Sequence, residues 1–323
     1  MPVLIITNGD SAGEMLRLSF PGTEVLPWRD VLHEGPVPLT ETLAELSDIR
    51  AAYLAGSDGE LDYARNVLAA RDRGLAHSPS FERVVLWFEH DLYDQLQLLQ
   101  VLDWFAAHPR GDGTLLLVQA SGFLGRQTPE ELQELKAEQR PVTSEQLALA
   151  RRGFAAFRAE TPEAWRALLD ENLDALPYLR QAVLRMLEEL PGPDGLSRTE
   201  RQILQALAAG ALTPPALFVA VQGQEEAVFM GDYSFWKVLD GLALAAPPLV
   251  EGLKGAPFNP AARVDETYFR SSVKLTPLGA EILAGRTDHA GRNDIDRWWG
   301  GTHLTNAKLW RFDPDALRLI PPS

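Results

Sequence analysis

Cysteine is absent from the 323-residue chain, which removes disulfides, thiolate zinc sites and cysteine nucleophiles. A cysteine-free chain fits a reducing cytosol. Cations are in deficit: 30 Lys and Arg face 45 Asp and Glu, a formal net charge of -15. Such a chain is expected to be soluble, with non-specific attraction to nucleic acid or an anionic membrane disfavoured. No apolar run approaches the roughly 18–20 residues of a membrane span. The opening Met1-Pro2-Val3-Leu4-Ile5-Ile6 has no basic stretch and meets Asn8-Gly9-Asp10 too early for a signal peptide. A cytoplasmic protein with no membrane partner is the expectation.

Several catalytic signatures are missing as well. No H-x-x-x-H or H-E-x-x-H spacing connects His33, His90 and His303, so a zinc centre is not expected. No nucleophile elbow is read around Ser11 in Gly9-Asp10-Ser11-Ala12-Gly13, and a Ser-His-Asp hydrolase is set aside.

Apolar residues make up 46% of the chain, enough for two domains with cores of their own. The central stretch is Val84-Val85-Leu86-Trp87-Phe88, a wholly apolar run that suits a strand buried on both faces. It leads into Glu89-His90-Asp91 and then into a helix whose apolar positions Leu92, Leu96, Leu99, Leu102 and Phe105 share one face. Asp91 is a candidate N-cap, with Asp94 three residues on in a capping-box-like role.

Residues 3–7 and 114–119 read as further buried strands and 24–28 as a short one, with helical segments between them. This alternation predicts an α/β fold with a Rossmann-like, mostly parallel sheet over 1–127. Ligands of such sheets sit at the carboxyl ends of the strands. Asn8, Gly9, Asp10 and Ser11 follow the first strand and precede a helix, an arrangement that presents backbone N–H groups to an anion. Helix capping by Asp10 or Ser11 is the plainer alternative. Trp28 and Gly122 lie at the ends of two other strands. Asp30, His33 and Glu34 occupy a proline-bounded loop, which is either a site loop or a solvated connector. Arg50, Arg65, Arg71 and Arg73 read mostly as a solvated helix face.

Helical segments fill 128–192, announced by Thr128-Pro129-Glu130-Glu131, Thr143-Ser144-Glu145 and Thr161-Pro162-Glu163. Phe154, Phe157, Trp165 and Leu168 read as core. Leu190-Pro191-Gly192-Pro193-Asp194-Gly195 is the best linker. Three helices, two short strands and a closing helix over 193–287 give a winged-helix-like order, with a tail at 288–323. Eight basic residues against nine acidic ones between 195 and 286 make a poor phosphate-neutralising surface, so protein contacts are favoured over DNA. In the tail, Trp298-Trp299 beside Gly300-Gly301 implies backbone held close to another surface, and His303 is read as making a structural hydrogen bond.

Three stretches carry a resemblance: Thr7-Asn8-Gly9-Asp10-Ser11-Ala12, Trp28-Arg29-Asp30-Val31-Leu32-His33-Glu34-Gly35-Pro36, and Leu86-Trp87-Phe88-Glu89-His90-Asp91 with Asp94-Gln95-Leu96. Together they resemble a bacterial family catalogued as domain of unknown function 1835, over about the first 125 residues. The remainder looks like the helical companion domain that often follows it. The resemblance implies shared architecture and no particular reaction.

Two functions are expected from the residues. In the first, an enzyme takes a phosphorylated small molecule or nucleotide, as a hydrolase or transferase. Asn8, Gly9, Asp10, Ser11, Trp28 and Gly122 bind the ligand, and His33, Glu89 and His90 serve acid/base chemistry. Asp30, Glu34 and Asp91 are then candidate ligands for a hard cation such as Mg. The second is a non-catalytic, ligand-sensing regulator that contacts protein through the winged-helix-like module.

Overall fold

The computed structural model describes residues 2–56, 60–111, 113–254, 257–258 and 266–322. The chain divides into two compact units, the first comprising 1–184 with 300–302 and the second 185–299 with 303–323. The expected boundaries were 127, 192 and 287; the two units divide at 184/185, and 300–302 returns to the first.

In unit 1, β1 (Val3–Asn8), β2 (Glu24–Trp28), β3 (Arg83–Phe88) and β4 (Leu115–Gln119) run parallel, and β5 (Arg140–Pro141) pairs antiparallel with β4. The order across the sheet is β2-β1-β3-β4-β5. The result is an α/β unit with a mostly parallel sheet, as the alternation of strands and helices required. Val84, Val85, Leu86, Trp87 and Phe88 are all buried, the burial expected of a central strand covered on both faces. From β1 the chain moves to β2 on one side, then crosses to β3 on the other. The carboxyl ends of β1 and β3 therefore flank the point where the winding reverses.

The helices start where the sequence signals them. In α1 (Asp10–Ser19) the N-cap is Gly9, and no side chain caps it, so neither Asp10 nor Ser11 plays that part. Capping boxes open α2 (Leu43–Ala55) at Thr42 and Glu45, and α5 (Pro129–Leu135) at Thr128 and Glu131. Between them lie α3 (Leu61–Ala76) and α4 (Leu92–Ala107). A capping box at Thr143 and Gln146 opens α6 (Ser144–Phe157), which is followed by α7 (Glu163–Ala167). α6 packs on α4, and Gly153 permits the approach: a Cβ there would sit 3.2 Å from the Leu99 side chain. Phe154, Phe157, Trp165 and Leu168 are core residues, as expected.

Gly300 and Gly301 belong to this unit. The Gly301 N–H donates to the Phe157 carbonyl, and the Gly300 carbonyl accepts from the Val37 N–H. A Cβ on either glycine would collide with backbone carbonyls of Phe157 or Arg158, so the expected close approach is real.

The division between units falls within α8 (Leu179–Leu187). In unit 2, α9 (Arg198–Ala208), α10 (Pro214–Gln222) and α11 (Asp232–Leu244) precede β6 (Val250–Glu251). A short α12 (Glu266–Phe269), β7 (Lys274–Leu275) and α13 (Pro277–Leu283) follow. β6 and β7 pair antiparallel. Ile203, Leu207, Leu217, Phe235, Leu239 and Ile282 meet in one apolar core. The segment expected as a tail is built of β8 (Asp296–Trp299) with β9 (Thr302–Thr305), and β10 (Arg311–Asp313) with β11 (Arg318–Ile320). His303 makes its expected structural bond, at 2.7 Å to Asp296, and stacks on Trp298. No helix among the described residues is long and apolar enough to cross a membrane.

Candidate functional site

Asn8 ends β1, and its side chain turns toward the start of α4. The amide Nδ2 donates to Asp94 Oδ2 at 2.5 Å, and the Glu89 N–H donates to Asp94 Oδ1 at 2.6 Å. Asp94 was expected to serve the helix start. Instead it accepts from the last residue of one strand and from the residue just after another. Asp91 does cap α4, accepting the Asp94 N–H at 3.2 Å. Glu89 turns toward the loop after β4, where its Oε1 accepts the Leu124 N–H at 2.7 Å. Gln95 Nε2 holds the Glu89 carbonyl at 2.7 Å.

Three carboxylates thus converge. Glu89, Asp91 and Asp94 each offer an oxygen within 4.8 Å of the others, and all three are buried. Burial raises the Glu89 carboxyl, against the pull of the Leu124 N–H, the Asn8 amide and the Arg126 charge. Burial and the charge of Glu89 push Asp91 up to about 7. Asp94 is held well above the ordinary range by burial and then by its two acidic neighbours. The cause is electrostatic: like charges out of water cannot all ionise at low cost.

Other predicted residues fall into place around this centre or away from it. His33 is buried, its ring edge-on to Tyr93 with centroids 6.1 Å apart. Tyr93 follows Leu92 in the first turn of α4, and its hydroxyl would lie 3.9 Å from a Cβ on Gly9. Burial, and next the Asp94 charge, raises the Tyr93 phenol. The His90 ring lies between Phe123, 5.6 Å away, and Tyr178, 5.9 Å away. Burial lowers His90, which favours the neutral ring. Gly125, beyond Gly122 in the loop after β4, brings that loop against α1. A Cβ on Gly125 would be 3.0 Å from the Ser11 Cβ.

Five expectations are corrected. Asp30 is not available to a metal, because it is buried between two cations: Arg50 Nε at 3.0 Å and Arg71 Nη1 at 3.4 Å. Those two arginines are buried partners of the loop, not a solvated face; Arg50 also holds the carbonyls of Val31, Glu34 and Pro36. Glu34 receives the Tyr53 hydroxyl and stands apart from the carboxylate cluster. Trp28 is fully buried, its indole N–H on Gln100 at 2.8 Å and Arg71 stacked on its ring, so it cannot face a ligand. Asp10 is exposed and takes Arg29 in a two-pronged pair, with Nη2 at 2.6 Å and Nε at 2.9 Å.

Gly9-Asp10-Ser11-Ala12-Gly13 does fit G-x-S-x-G by its letters. The geometry is different from a nucleophile elbow. The positive φ, +24°, falls on Gly9, while Ser11 lies inside the first turn of α1 and is exposed. Setting aside the serine triad therefore rests on conformation.

A cavity of about 120 Å³ lies on the sheet face against Val3, Ile5, Val85, Trp87 and Leu116. It is apolar and includes none of the convergent carboxylates. The residues missed in the sequence were Tyr93, Asp94 as a bridge, Leu124 as an N–H donor, and Arg126. Only Asp94 carried a signal, its spacing from Asp91, and capping explained that spacing as well. No family model matches the chain, and no curated protein matches it.

Proposed function

We propose that unit 1 binds a phosphorylated small molecule or nucleotide at the carboxyl ends of β1 and β3 and acts on it as a hydrolase or transferase. The observation that carries this is the Asn8–Asp94 bond. It draws the carboxylate cluster and the amino end of α1 to one edge of the sheet, where the winding reverses. No side chain caps α1, so its first N–H groups are available to phosphate oxygens, which the helix dipole also favours. Neutral His90, with Nδ1 buried and without a hydrogen-bond partner, is the general base or acid of this reading. His33 stands one ring further off, behind Tyr93.

Calorimetry with inorganic phosphate, nucleotides and sugar phosphates tests this. Binding of at least one compound is expected, and Gly9→Val should abolish it by straining the turn. Failure of every compound to bind, or equal binding by Gly9→Val, would sink the reading.

A second reading has its own support. A winged-helix reading of unit 2 is supported by the order α9, α10, α11, β6, β7. Leu212, between α9 and α10, bridges antiparallel to Val273 as the first strand of such a module would. We propose that this unit makes protein contacts, which would make the whole chain a ligand-responsive regulator. Val219 on α10 and Tyr233 on α11 are exposed, and the segment carries no net positive charge for DNA. A pulldown with and without nuclease separates the partners: capture that nuclease abolishes would argue for nucleic acid instead.

A further inference from the structure

Asp30 and the carboxylate cluster are both buried in unit 1, yet they are neutralised differently. Asp30 sits between Arg50 and Arg71, which supply its countercharge. Among the described residues, no Lys, Arg or His forms an ion pair with Glu89, Asp91 or Asp94. Three acidic groups within 4.8 Å of one another and out of water either hold protons or share a cation, and a cation between them would let all three ionise.

A second observation points the same way. Asn8 is nine-tenths buried, and its amide is already engaged with Asp94 through Nδ2. The other end of that amide, Oδ1, has no hydrogen-bond partner. A buried carbonyl oxygen with no donor, beside three carboxylates with no ion-pair partner among the described residues, is an incomplete oxygen ligand set.

We propose that Glu89, Asp91 and Asp94, together with the Asn8 amide oxygen, hold a hard divalent cation of the magnesium, manganese or calcium class. All four donors are oxygens, and no sulfur or imidazole belongs to the set, which disfavours zinc and copper. Four protein oxygens leave coordination positions for water or for a ligand oxygen. The Asn8 side chain has two tasks here, donating to one cation ligand and being another. Fixing a ligand through a neighbour in this way is how protein metal sites are held in shape.

The proposal deepens the phosphate reading and depends on it only for what fills the remaining positions. The cation itself is a property of the empty protein and is tested without any phosphate compound.

Asp91 allows a clean variant, because Asn caps a helix about as well as Asp but brings no charge. Full-length protein stripped with chelator is titrated with Mn(II), read by calorimetry and by loss of the free-ion EPR signal. One equivalent bound is expected, with Ca(II) or Mg(II) competing. Asp91→Asn should weaken binding at least about tenfold while leaving the far-UV spectrum and unfolding cooperativity unchanged. No Mn(II) bound at millimolar metal, or equal binding by Asp91→Asn, would overturn the site. Binding of inorganic pyrophosphate in excess chelator is measured in parallel. Pyrophosphate bound without any metal site leaves the phosphate reading standing alone. A metal site with no pyrophosphate binding, with or without cation, removes the phosphate reading and leaves the cation.

Discussion

Asn8 and Asp94 lie 86 positions apart and meet at 2.5 Å, the amide of a strand end donating to a carboxylate in the first turn of a helix. Neither residue is in a loop that a motif search would select. Their contact exists because β1 and β3 are hydrogen-bonded neighbours, with Thr7 opposite Trp87. Extending each strand by one or two residues therefore brings Asn8 beside Glu89 and the start of α4.

Two substitutions at Asn8 should separate structure from ligation. Asn8→Leu removes a donor from Asp94 and is expected to cost about 1–3 kcal/mol in denaturant unfolding. Asn8→Asp adds a fourth carboxylate. It should lower the melting temperature in chelator and recover most of the loss when Mn(II) is added. Recovery by Asn8→Leu to the same degree would show that Asn8 is no ligand.

Arg50 is a structural counterpart to the cluster. Its guanidinium neutralises Asp30 and ties three carbonyls of the 31–36 loop. Arg50→Met leaves Asp30 buried with the longer Arg71 contact and the Val31 N–H, and a loss of about 3–5 kcal/mol is expected. Equilibrium unfolding in urea measures it. The double variant Asp30→Asn/Arg50→Met should recover part of that loss, since no unpaired charge remains.

Gly301→Ala places a methyl group against the Arg158 carbonyl, where backbone has to shift. A cost above about 1 kcal/mol is expected, read as a lower midpoint of thermal unfolding. Alanine at Gly241, where a Cβ meets nothing within 4 Å, is the control and should not destabilise.

Glu200 gives unit 2 an acid limit. Burial alone would raise its carboxyl. Arg297, the Ser197 N–H and His289 outweigh that and hold it below its ordinary 4.5. Arg297 Nη1 donates to it at 2.8 Å. A lowered folded pKa contributes stability that is complete above the unfolded value and disappears as pH falls through the folded one. The melting-temperature gap between the protein and Glu200→Gln should therefore be constant above about pH 4.5 and close below it. A gap that persists unchanged at pH 2.5 would contradict the ion pair as its source.

Legibility in the sequence followed how local each cause was. Residues 84–88 announced a buried strand because five consecutive apolar side chains leave no solvated face. Thr128 and Thr143 announced helix starts because a cap acts within three residues. The strand-end rule led to Asn8 and Glu89, which both donate to Asp94. It failed for Trp28 and Asp30, which also follow a strand end but turn into the protein, where Gln100, Arg50 and Arg71 receive them.

Sequence by itself determined the alternation of strands and helices, the apolar interior of the sheet, and the capped helix starts, since each depends on residues a few positions apart. Tertiary structure alone decided which carboxylates stand without a counterion. Nothing in the immediate neighbours of Asp30, in Arg29-Asp30-Val31, or of Asp94, in Tyr93-Asp94-Gln95, tells their folded surroundings apart. Folding places two guanidinium groups on the first, and an amide, a backbone N–H and two more carboxylates beside the second. That difference is a matter of charge separated by a few ångströms in space and by dozens of residues along the chain.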